Sequence, residues 1–150
     1  MATKAPLSEF PLFRNLPDEL LDKVAALGEE AAFEQGDTIF REGDKADKMH
    51  FLLEGLIVLK VQLTSRPESI TVSAVKQKYE SFGWSGIVPP YHYTASAICE
   101  EDCKVMTLPG EAFMSLLQEN PSAGFTVMQR LTELISSRLR TSRQGLLKTL

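Results

Sequence analysis

Few side chains in this 150-residue sequence carry reactive chemistry: two histidines, His50 and His92, and two cysteines, Cys99 and Cys103. A metal enzyme on a β-barrel gathers about three imidazole or carboxylate ligands, and here no His-x-His pair exists, so no metal site is expected. No serine, cysteine or lysine has neighbours that would activate a nucleophile, so catalysis is not expected either. The cysteines are too few for a disulfide framework or a structural zinc site. They flank Glu100-Glu101-Asp102, a tight-turn sequence, and either face each other across a hairpin or pack as small strand residues. Rings and hydroxyls concentrate instead between Phe82 and Ser96, around Trp84, Ser85, Tyr91, Tyr93 and Thr94. His92 either meets a ligand there or serves as an exposed loop residue.

Two periodicities organise the elements that must position these residues. Leu20, Leu21, Val24 and Leu27 recur at helical spacing after Pro17, with Asp18 and Glu19 in the first turn and Gly28 as a stop. From about residue 30 to 108 the period is two. Met49, Phe51, Leu53, Ile57, Leu59 and Val61 mark a buried parity, and His50, Glu54, Lys60 and Gln62 a wetter one. Ile70, Val72 and Ala74 alternate likewise, and short strands are expected at 94–99 and 103–108. Turn signals at Gly36-Asp37, Gly43-Asp44, Gly55, Ser65-Arg66-Pro67 and Pro89-Pro90 separate them. Many short strands with regular turns imply a sandwich, roll or barrel.

Helical spacing returns after Pro109-Gly110, first as a short helix with Phe113, Leu116 and Leu117, then beyond Asn120-Pro121 as a long one. In the long helix Gly124, Met128, Leu131, Ile135, Leu139, Ser142 and Leu146 step by three and four, the spacing of a coiled-coil seam. A helix of ~25 residues runs ~38 Å, longer than a small domain is wide. A homodimer through Met128, Leu131, Ile135 and Leu139 is therefore expected, with packing on the chain's own roll as the alternative.

Composition is that of an ordinary globular protein: 43% hydrophobic, 24% charged, net charge −4. The last part is basic, with Arg130, Arg138, Arg140, Arg143 and Lys148 against Glu133 alone. Such a tail meets an acidic partner or is a solvated helix end whose dipole favours cations. No apolar run approaches the ~18 residues of a membrane span, and the first ten residues lack a secretory core, so a cytoplasmic location is expected.

The order helix, β-roll, short helix, long helix resembles cyclic-nucleotide-binding domains of the catabolite-activator and protein kinase A regulatory type. Pro11-Leu12-Phe13, Leu16 and Leu20 resemble that family's first helix. Gly36-Asp37-Thr38-Ile39-Phe40 with Arg41-Glu42-Gly43-Asp44 resembles its paired-glycine signature, and Phe51-Leu52-Leu53-Glu54-Gly55 follows at its spacing. Phe82-Gly83 resembles the opening of the phosphate-binding cassette, and Cys103–Leu108 through Phe113 the last strand and its helix. The resemblance implies a mainly β fold with flanking helices, a jelly-roll-like β-roll or double-stranded β-helix. One domain over 1–150 is expected: an N-terminal helix in 10–29, the roll in 30–108, a short helix in 110–119 and a long one in 121–148. Glycines at the roll corners are expected at φ > 0, each followed by an aspartate that bonds nearby backbone.

In the family, a short helix N-terminus and one arginine hold the phosphate, and a glutamate takes the ribose hydroxyl. Carried over, Trp84 stands in the place of the glutamate, and Tyr93, or Thr94, in that of the arginine. A charge-assisted contact contributes roughly 1.5–3 kcal/mol, so its loss alone weakens phosphate binding by one to two decades. Ordinary cyclic AMP sensing is disfavoured, and no cofactor is otherwise called for. The resemblance places a degenerate ligand site at Gly83, Trp84, Ser85, Gly86, Ile87, Tyr93, Thr94 and Ser96, with Thr132, Ser136 and Ser137 as lid residues. Either Trp84 and Tyr93 fill this cavity, or with Tyr91 they rim an open one suited to a flat apolar ligand, an aromatic acid or haem. Two functions follow: a stand-alone regulatory sensor that dimerises and takes a small molecule, or a ligand-independent adaptor that meets a protein partner. Catabolite-activator relatives carry a DNA-reading helix-turn-helix after the long helix, and none fits after residue 145, so direct sequence-specific DNA binding is not expected.

Overall fold

The computed structural model describes residues 3–149. Its organising strand is β3 (Lys48–Glu54), in which every residue from Met49 to Leu53 is buried. Met49, Phe51 and Leu53 join a core shared with the helices, while Leu52 joins a second core inside the roll. A strand covered on both faces has no wet parity, which corrects the expectation for His50: it is buried among the rings of Phe40, Phe82 and Tyr93.

Among the described residues, eight strands form two four-stranded sheets. One has the order β1 (Glu29–Phe33), β8 (Cys103–Pro109), β3, β6 (Ser81–Phe82). The other runs β2 (Thr38–Phe40), β7 (Ser96–Cys99), β4 (Ile57–Gln62), β5 (Ser69–Val75). All the pairings are antiparallel. Together with its flanking helices this is the expected β-roll. Gly36 and Gly43 both have φ +90, and Asp37 and Asp44 accept the backbone N–H of Glu34 (2.8 Å) and Arg41 (3.2 Å), which fastens the corners.

The β4–β5 register slips between Leu59 and Lys60, whose partners are Ser73 and Thr71, leaving Val72 as the extra residue. A bulge re-aims side chains. Ser73 and Val75 are therefore buried and Ala74 is exposed, against the plain alternation expected of Ile70, Val72 and Ala74.

The N-terminal helix α1 is Asp18–Leu27, shorter than the expected 10–29. Asn15 is left-handed (φ 61), which ends any helix approaching it, so Pro11–Phe13 is a 3-10 turn that buries Leu12 and Phe13. After α2 (Gly110–Glu119), helix α3 (Pro121–Thr149) crosses α2 at Gly124, where an added Cβ would lie 2.6 Å from Leu117 O. Gly124 thus serves a close helix crossing rather than a seam. The far end of α3 lies on β5, with Gly145 against Val72. Leu131 is 1% exposed and belongs to the chain's own core, which removes it from the expected dimer seam. Met128 and Ile135 pack partly against that core, and Leu139 is 69% exposed.

Candidate functional site

The roll and α3 enclose a cavity of about 340 Å³. Its strand side is Phe40, Leu59, Val61 and Val72; its helix side is Ile135, Arg138, Leu139, Ser142 and Leu146. The segment after β6 supplies Gly83, Trp84 and Ser85, and the approach to β7 supplies Tyr93, Thr94 and Ala95. Val72, the extra residue of the bulge described above, is part of this wall.

Gly83 is left-handed (φ +64), and a Cβ there would fall 2.6 Å from His50 Cδ2 and 2.9 Å from Phe40 Cε2. Only glycine lets the chain turn so closely against these rings, after which Trp84–Gly86 makes a single 3-10 turn. Gly86 and Ile87, expected in the site, lie elsewhere. Gly86 packs against the backbone of Lys48 where a side chain would not fit, and Ile87 is buried in the helix-side core. Ser96 is also outside the cavity, its Oγ accepting the Glu42 N–H at 2.9 Å.

Tyr93 forms the inner end. Its ring stacks on Phe40 with centroids 3.8 Å apart and planes at 9°. Its hydroxyl pairs with His50 Nε2 at 3.0 Å, while His50 Nδ1 is buried without a partner. Burial, followed by the charge of nearby Lys48, lowers the His50 pKa to about 4. Burial, then Asp47 and Asp44, pushes the Tyr93 phenol up to about 12. Both rings are neutral at neutral pH. Tyr93 fills the inner part of the space and leaves the rest open, a combination of the two expected alternatives.

The structure adds a residue that sequence reasoning placed in the basic tail. Arg138 is 8% exposed and lines the cavity. Its Nη2 donates to Glu80 Oε2 at 2.6 Å and to Ser81 O at 3.4 Å, and its guanidinium lies over the Trp84 ring, 5.3 Å from the centroid. Nη1 is buried with no partner. Burial lowers the Arg138 pKa from its ordinary value, and Glu80 opposes that shift. The legible signal was spacing: Val127, Leu131, Leu134 and Arg138 step by four, three and four, so the arginine continues a buried stripe.

Other expected residues lie outside. Thr132 and Ser136 are exposed; the Thr132 hydroxyl bonds Met128 O (2.8 Å), and Ser136 Oγ accepts from Arg140 Nη1 (3.2 Å). Ser137 is likewise exposed and absent from the lining. The face of α3 toward the roll is Ile135, Arg138 and Ser142, roughly a third of a turn away. His92 is exposed, with Nδ1 3.1 Å from Gly43 O, and neither it nor Tyr91 lines the cavity. Cys99 and Cys103 are both buried free thiols, and Cys99 is pushed up to about 12 by burial, then by its hydrogen bond with Cys103. Such a thiol is a poor nucleophile. Among the described residues no acidic, histidine and cysteine group forms a metal site, and no helix is long and apolar enough to cross a membrane.

Residues 30–120 match the family model for the cyclic nucleotide-binding domain. The chain belongs to that family. Among curated proteins, this cyclic nucleotide-binding domain is 26% identical over 131 residues to the cyclic AMP receptor protein of Thermus thermophilus, covering 87% of this chain and 57% of that protein. It is 27% identical over 136 residues to the potassium channel SKOR of Arabidopsis thaliana, covering 89% of this chain and 16% of the channel. The chain thus spans only part of the length of these relatives. A solved structure assigned as a cyclic nucleotide-binding protein of Geobacter metallireducens superposes with a TM-score of 0.77 at 31% identity, covering 93% of this chain and 99% of that one. This domain presents Trp84 and Tyr93 to the cavity, and its buried cation reaches the cavity from α3.

Proposed function

We propose that this domain is a regulatory sensor that takes a small molecule between its roll and α3 and transmits occupancy through α3 to a second copy of itself. One observation carries the reading: four of the five α3 residues that line the cavity, Ile135, Leu139, Ser142 and Leu146, also lie on a heptad line with exposed leucines. Phe125, Thr132, Leu139 and Leu146 are all exposed and stand seven residues apart, with Met128, Ile135 and Ser142 between them. That is an a/d heptad line, and a second identical helix matches it. Leu139 and Leu146 therefore touch both the cavity and the proposed partner, so a ligand against them biases how two helices meet. Catabolite-activator and cyclic AMP receptor relatives support a regulatory role for the fold.

Cyclic AMP is not the ligand in this reading. The lining offers no cation from the cassette and no ribose carboxylate, and a nucleotide's polar edges would be stranded against Leu59, Val61 and Val72. Thermal-shift and calorimetric titration with cyclic AMP and cyclic GMP test this. No binding below 1 mM is expected, whereas micromolar affinity for either sinks the reading. Light scattering should give the mass of a dimer, and a monomer at all concentrations removes the signalling half of it.

A further inference from the structure

Arg138 poses a problem that the fold alone does not solve. Its side chain is 8% exposed, yet one of its two terminal nitrogens, Nη1, has no hydrogen-bond partner. A buried charged donor left open is costly, and native structures seldom retain one without a reason. The other nitrogen is already used by Glu80 and Ser81, and Trp84 lies under the guanidinium plane. Arg138 is also the only charged side chain among the described residues lining the cavity, since Tyr93 is neutral.

Glu80 pairs with Nη2 only and does not line the cavity, so it leaves Nη1 unmatched. Most of the remaining wall, including Phe40, Leu59, Val61, Val72, Ile135 and Leu146, is apolar, and Ser85, Thr94 and Ser142 add only neutral hydroxyls. A ligand matching this space carries one acceptor group with one negative charge at one end and a flat hydrocarbon body at the other. A phosphate dianion brings more charge than one free donor can satisfy, and a nucleotide brings more polar edges than a mostly apolar wall with three hydroxyls can meet. A cavity of about 340 Å³ lies at the small end of the ~300–1,000 Å³ range of small-molecule sites.

We propose that the cavity binds a small aromatic or similarly flat apolar monocarboxylate, its carboxylate pairing with the Arg138 guanidinium, which turns to uncover the unpartnered Nη1, and its apolar body lying beside Trp84. This rests on the reading of the cavity as a ligand site, and deepens it by naming the ligand class and its anchor. Arg138 sits between Ile135 and Leu139 on α3, so the anchored carboxylate is felt on the helix that carries the proposed dimer line.

The probes are 4-tert-butylbenzoate and its neutral isostere 4-tert-butylbenzamide, titrated into the intact protein by calorimetry. Trp84, the single tryptophan, reports on the cavity through its emission. The benzoate is expected to bind at least ten-fold more tightly than the benzamide and to shift Trp84 emission. That preference should vanish in an Arg138→Met/Glu80→Gln double variant, which removes both charges together. Equal affinity for the two probes overturns the carboxylate anchor while leaving the cavity as a ligand site. Binding of neither overturns the anchor, and if cyclic nucleotides, haem and uncharged aromatics are silent as well, the sensor reading falls with it. Because the two-probe comparison uses unaltered protein, a variant that fails to fold does not decide the matter.

Discussion

His50 Nε2 and Tyr93 Oη lie 3.0 Å apart inside the roll, joining residues 43 positions apart in the chain. Burial of His50, and then the charge of Lys48, makes stability depend on pH. His50 has a folded pKa of about 4 against an ordinary value of 6.5, so from pH 6.5 downward the unfolded chain binds a proton that the folded one refuses. Its contribution is complete above pH 6.5, is lost as pH falls toward 4, and levels off below. The gap corresponds to about 3 kcal/mol. In urea titrations at pH 7 and pH 4, His50→Phe should gain about that much relative to the native sequence on acidification. A stability difference independent of pH would contradict a neutral buried His50.

Arg138→Met should destabilise the protein by about 3 kcal/mol, because it leaves Glu80 facing a partly buried site without its cation. Adding Glu80→Gln should recover at least about 1 kcal/mol of that loss. A double-mutant cycle by denaturant unfolding measures this coupling, and strict additivity of the two changes would show that the 2.6 Å pair contributes nothing.

Two leucines on α3, eight residues apart, should respond in opposite ways. Leu131→Ala removes a side chain 1% exposed in the core and should cost about 2–5 kcal/mol with no change in assembly. Leu139→Glu alters a side chain 69% exposed, so monomer stability should move by no more than about 0.5 kcal/mol. Its effect should appear in light scattering as loss of the dimer. An unaltered mass would take Leu139 out of the interface.

Gly83→Ala combines a left-handed backbone with a Cβ 2.6 Å from His50 Cδ2. Strain and crowding together should cost about 2–4 kcal/mol in denaturant unfolding. The neighbouring rings would have to shift, so near-ultraviolet circular dichroism of Trp84 and Tyr93 should change as well. Native stability in this variant would mean the turn is not fixed by its conformation.

Much of the fold was legible because it depends on local signals. Gly36-Asp37 and Gly43-Asp44 announced corners that need φ > 0, Pro17 and Gly28 bounded α1, and period-two runs marked the strands. The readings that failed were those in which one strand or helix meets two environments. His50 looked like a wet-face residue because alternation assumes a solvated side, and β3 has none. Ile70, Val72 and Ala74 looked like a regular stripe because a bulge leaves no trace in hydropathy.

The candidate site divides the same way. Gly83, Trp84, Ser85, Tyr93 and Thr94 could be found from the chain because they lie within one segment of it. Arg138 could not. From sequence it is one cation in a basic tail, and only the docking of α3 on the roll sets it beside Trp84 and Glu80, 54 and 58 residues away in the chain. Residue types and spacing determined which strands, turns and helices form, since those follow from backbone sterics and periodic burial. Which charge is buried, and which donor is left without a partner, depends on contacts between distant segments, and folding alone makes those.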